Sequence, residues 1–167
     1  EDWQSKIADE LKDYNVTLYN PRRTDWDKTW VQDIENEKFN EQVTWELEHQ
    51  EEADIIIVYF DKNSKAPITF LELGLFSNPK KMIIFCPKGF YRKGNIDIVA
   101  KRYNLTLTET WEDFVKELKN KIDETQNIKK SKMREKEQQK KLKTKILGDI
   151  ETFIDKNKKD PEKIIEI

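Results

Sequence analysis

The stretch "ADIIIVYF", residues 53–60, runs Ile55, Ile56, Ile57, Val58, Tyr59 and Phe60 without a polar break. A strand half-exposed to water alternates apolar and polar residues. One that is apolar at every position has no wet face, so this stretch predicts a parallel strand covered by helices on both sides. "KKMIIFCP" (80–87) repeats the pattern, and "LTLT" (105–108) and "NVTLYN" (15–20), closed by Asn20-Pro21, are shorter β-favouring runs.

Between these runs the apolar period changes to that of a helix. Residues 2–13 carry Trp3, Ile7, Ala8 and Leu11, and a second helix carries Phe39, Val43, Leu47 and Gln50. Others are expected from near Ile68, over "IDIVAKRYN" (96–104), and over 111–124 with Trp111, Phe114, Val115, Leu118 and Ile122. The expected order is α-β-α-β-α-β-α-β-α, an α/β parallel sheet flanked by helices. Such a pattern normally opens on a strand, and the strand feeding the first helix is expected before Glu1. The polar, Trp-bearing segment 21–38 reads as a long loop of the kind that binds partners.

The 167 residues hold 31 basic and 33 acidic side chains, for a net charge of −2, so no global nucleic-acid signature exists. Residues 126–167 are net +5 and residues 1–125 net −7. This asymmetry divides the chain into a globular domain, 1–125, and a charged helical tail, 126–167. In the tail, Leu142, Ile146, Ile150 and Phe153 form an amphipathic stripe. Nine Lys or Arg between 129 and 145 read as a solvated face or as a match for an acidic protein surface. Aromatic residues for stacking bases are lacking there, which argues against nucleic acid.

The lone Cys86 excludes an internal disulfide and reads as a small core residue, and the lone His49 argues against a His-based metal site. No apolar run approaches the ~20 residues of a membrane span, nor does any segment resemble a secretory signal. The chain reads as cytoplasmic, with no membrane partner.

"APITFLELGLF" (66–76) places an acid, Glu72, inside an apolar run. Ligands of open α/β sheets lie beyond the carboxyl ends of the strands. Glu72 is expected one turn into its helix, where the dipole favours the ionised form. A carboxylate of that kind is suited to attack an anomeric carbon. The plainer alternative is an acid paired with an arginine.

"DWQSKI", "NPRRTDWDKTW", "FNEQVTWELEHQEEADIIIVYF", "APITFLELGLF" and "CPKGFYRKGNIDIVAKRY" occur in this order. Over about residues 2–105 the chain resembles the nucleoside 2-deoxyribosyltransferase-like proteins. The resemblance implies a flavodoxin-like fold that cleaves the N-glycosidic bond of a (deoxy)nucleoside or nucleotide without metal or redox cofactor. It casts Glu72 as nucleophile and Glu46, where the enzymes carry Asp, as the group that handles the leaving base. It also points to Asn20, Arg22, Arg23, Gln42, Arg92 and Asn95 as substrate-binding or structural. Arg22 and Arg23 alternatively pair with Asp25 and Asp27, and Trp26, Trp30 and Trp45 either stack a base or pack the loop.

Three functions are compatible with these residues. One is an enzyme that transfers or hydrolyses N-glycosides through a covalent glycosyl-Glu72. A second is a catalytically retired relative serving as a structural subunit of a larger, for instance cytoskeletal, assembly through the 21–36 loop and the tail, with self-association as a further option. The third is a nucleotide-binding sensor.

Overall fold

The computed structural model describes residues 2–22 and 29–158. It divides into two compact units, Glu1–Asp123 and Glu124–Ile167. The elements are α1 (Trp3–Glu10), α2 (Glu37–Glu52), β1 (Ile56–Tyr59), α3 (Pro67–Leu75), β2 (Met82–Phe85), α4 (Lys93–Tyr103), β3 (Thr106–Thr108) and α5 (Trp111–Asn157).

The strands form one parallel sheet in the order β1-β2-β3. Ile56 stands opposite Met82 and Tyr59 opposite Phe85, while Ile84 stands opposite Leu107. All four residues of the central strand β2 are buried, as its unbroken apolar run requires. The side-chain period of two then sorts the residues between two layers. Ile56, Val58, Phe60, Met82, Ile84 and Cys86 pack with Leu73 of α3, Phe90, and Ile96 and Ala100 of α4. On the other face, Ile83 and Phe85 pack with Ile7 of α1, Leu11, and Phe114, Val115, Leu118 and Ile122 of α5. Trp3 and Tyr59 stack at 4.8 Å, locking α1 to β1. This parallel sheet with helices on both faces is a flavodoxin-like α/β fold.

Local chemistry sets the helix boundaries. Asp2 caps α1 by accepting from the Ser5 N–H at 3.2 Å, and Asn36 caps α2 by accepting from the Phe39 N–H at 3.2 Å. Asn104 ends α4 in the left-handed region at φ 54°.

One expected strand does not form. Residues 15–20 are irregular, with Val16, Leu18 and Tyr19 exposed. A β-favouring run becomes a strand only beside a ladder partner, and among the described residues no strand lies beside 15–20 or on the far side of β1. Tyr19 instead sets its ring edge against Trp45 and His49 of α2, at 6.4 and 4.4 Å.

Residues 124–157 are helical throughout. From Asn127 to Lys156 every side chain is exposed. Among the described residues no helix is long and apolar enough to cross a membrane.

Candidate active site

The site grows from the way α2 and α3 are phased. Gln42, Glu46 and Gln50 recur every fourth residue along α2 and therefore share one helix face. Gln42, only 6% exposed, donates from Nε2 to the Pro21 carbonyl at 3.1 Å and to Glu46 Oε1 at 2.6 Å. Gln50 donates from Nε2 to Glu72 Oε1 at 2.6 Å. Two glutamines of α2 thus each hold one carboxylate, the first on α2 itself and the second on α3.

Glu72 is the sixth of the nine residues of α3, beyond the first turn. This corrects the expected dipole effect, which fades within one turn of the helix end. Burial pushes its carboxyl above the usual range, the Gln50 amide draws it back, and the nearby negative charge of Glu46 raises it further. Among the described residues the hydrogen-bond partner of Glu72 is a neutral amide, not an arginine. A carboxylate made more basic by burial is a stronger nucleophile wherever it remains ionised.

The Oε1 of Gln50 is buried and meets no donor among the described residues. A buried acceptor without a donor carries a desolvation penalty of about 1–3 kcal/mol. The sequence reading placed Gln50 only in the helical period of α2 and missed it as a site residue; its one signal was its place one turn beyond Glu46.

The printed contacts of the remaining described candidates are with other groups. Asn20 accepts from the Arg22 N–H at 3.0 Å through Oδ1, a turn contact. The Arg22 guanidinium bonds Asp2 at 2.9 Å, with side chains 56% and 51% exposed, so the pair adds little to stability. Arg23, with Asp25, Trp26 and Asp27, falls outside the described residues. Arg92 lies over the Tyr91 ring at 5.6 Å, and Asn95 is exposed in the first turn of α4. Among the described residues neither of them touches Glu72 or Glu46. Trp45 stacks on His49 at 4.1 Å, so one aromatic face is already covered. His49 is half-buried, with Nδ1 2.7 Å from the Trp45 carbonyl.

A recess of about 270 Å³ opens beside Gln50, lined by Ile56, Phe76, Ser77, Asn78 and Lys81 among others. It lies where β1 and β2 begin, opposite the carboxyl ends where a ligand was expected, and Glu72 is not in its lining. Ala66, next to the start of α3, takes the left-handed conformation at φ 45°. An L-residue there is strained by roughly 1–2 kcal/mol. At the end of β2, Cys86 is fully buried, and burial pushes its thiol up to about 11. The described residues bring no three His, Cys, Asp or Glu together as a metal site.

Sheet and layers define a parallel α/β protein whose helix layer holds Glu46 and Glu72. A model of the family described as nucleoside 2-deoxyribosyltransferase like matches residues 1–90, more than half of the chain, and the chain belongs to that family. Nucleoside glycosyl transfer is the general activity attached to it. No curated protein matches the chain.

Proposed function

We propose that this protein breaks the N-glycosidic bond of a (deoxy)nucleoside or nucleotide, with Glu72 as nucleophile and Glu46 as proton carrier. A Glu72 oxygen attacks C1′ of the sugar while the C1′–N bond breaks. The bonding pair leaves with the base, which takes a proton from the protonated form of Glu46. A second base or water then attacks C1′, gives its proton to Glu46 and frees the Glu72 carboxylate. One observation carries this proposal: Glu72 and Glu46 share an electrostatic environment, each held by its own glutamine. Gln42, which holds Glu46 and the Pro21 carbonyl, also fixes the start of the loop that carries Arg22 and Arg23. The single unpaired thiol fits a cytoplasmic setting.

A second reading, a structural subunit without turnover, is favoured by the recess that leaves Glu72 out of its lining. Base release from a panel of nucleosides and nucleoside 5′-monophosphates separates the two. The proposal expects release that is abolished in Glu72→Ala and falls about 100- to 10,000-fold in Glu46→Gln, the losses of a nucleophile and of a proton carrier respectively. No release by the folded, unaltered protein would favour the structural reading.

A further inference from the structure

The side-chain amide of Gln50 is bonded at one end only. Its Nε2 donates to Glu72 Oε1 at 2.6 Å, while its Oε1 is closed to solvent and meets no donor among the described residues. Buried amides normally have both ends satisfied. Water does not supply the missing donor, because a closed atom leaves no room for a water molecule. The donor has to come from a group that the amide already touches.

Glu72 is such a group, and it carries a hydrogen that comes and goes. An ionised carboxylate only accepts, whereas a protonated carboxyl offers one O–H beside its remaining acceptor oxygen. In that form an acid matches a primary amide at both ends, N–H to C=O and O–H to C=O, in a planar ring of two hydrogen bonds. The terminal torsions of Glu and Gln are broad, so bringing the two groups into one plane costs little. Burial of Glu72 favours the same protonated form, and Glu46 of α2 is the one charge that acts on it among the described residues. Strand β1 turns Ile56 and Val58 to this layer and its one titratable residue, Tyr59, to the other.

We propose that Gln50 and Glu72 form a reversible acid–amide pair: protonated Glu72 donates from Oε2 to Gln50 Oε1 while Gln50 Nε2 continues to donate to Glu72 Oε1. Gln50 is then a positioning residue that holds Glu72 un-ionised, and loss of the proton leaves one bond and strands the acceptor. The pair stands without the activity proposed above. Its consequence for turnover rests on that reading: Glu72 releases this proton to solvent before it attacks C1′.

The test is the carboxyl titration of Glu72 in the full chain, followed by carbon-13 NMR and assigned by its disappearance in Glu72→Gln. An amide that only donates favours the carboxylate, so removing it raises the midpoint. An amide that also accepts favours the acid. Gln50→Met, close in volume and unable to pair, is therefore expected to lower the midpoint by about one pH unit, the worth of roughly one buried hydrogen bond. In the unaltered chain the Gln50 Cδ resonance is expected to move with the Glu72 midpoint. Glu72→Gln places a permanent N–H donor where the proton stood. At about pH 8 this substitution is expected to lower the unfolding equilibrium constant roughly tenfold more with Gln50 in place than in the Gln50→Met background. A midpoint that rises or stays in Gln50→Met, a Gln50 Cδ that does not titrate, or a Glu72→Gln gain as large without Gln50 overturns the proposal. None of these readouts needs base release, so the pair and the glycosidic activity stand or fall separately.

Discussion

Leu118 and Leu142 belong to the same helix, α5, yet one is 1% exposed and the other 58%. Around Leu118, apolar residues meet one face of the sheet and are buried there, and packing determines the structure. Around Leu142 they meet solvent, so backbone hydrogen bonds and propensity alone hold the helix. The same residue type therefore builds the core in one region and an exposed stripe in the other.

The sharpest way to break this contrast is to make one substitution in both places. Leu118→Ala is expected to destabilise the sheet unit by about 2–5 kcal/mol in urea unfolding, against less than about 0.5 kcal/mol for Leu142→Ala in dilute protein. Comparable losses would mean that Leu142 is covered.

Backbone changes give smaller effects. Gly148→Ala should raise the helicity of 124–157, at a gain of roughly 1 kcal/mol, because glycine disfavours a helix and the site is open. Ala66→Gly should stabilise the sheet unit by about 1 kcal/mol by relieving the left-handed strain at φ 45°. If circular dichroism shows the first change acting on the sheet transition, the two regions are not energetically separate.

The smallest effect is a pH slope. Glu72 binds its proton more tightly folded than unfolded, so its contribution to stability is greatest in acid. That contribution declines as pH rises from about 4.5 through the raised folded value. Glu72→Gln should flatten this fall above about pH 4.5. An unchanged slope in the variant would mean that Glu72 is not the carboxyl responsible.

Much of this architecture was legible in the sequence, and the exceptions share a cause. "ADIIIVYF" and "KKMIIFCP" declare buried parallel strands because an unbroken apolar run has one stable home. Residues 15–20 mislead because strand propensity is a property of a pair, and the run itself says nothing about its neighbour. Glu72 stands out as an acid among apolar residues. Its holding by Gln50 depends on α2 and α3 lying side by side, which neither local stretch encodes alone. The recess at the starts of β1 and β2 depends on the same kind of long-range placement.

Cys86 has a practical consequence. Alkylating reagents attack the thiolate, and this thiol is sealed at the end of β2 and far from ionising near neutral pH. The rate at which iodoacetamide consumes it therefore counts openings of the core, with no foreign probe attached. A ligand that binds the closed protein slows that clock by mass action, whether or not it is ever turned over. A library of nucleosides can be ranked in this way before any reaction product is sought.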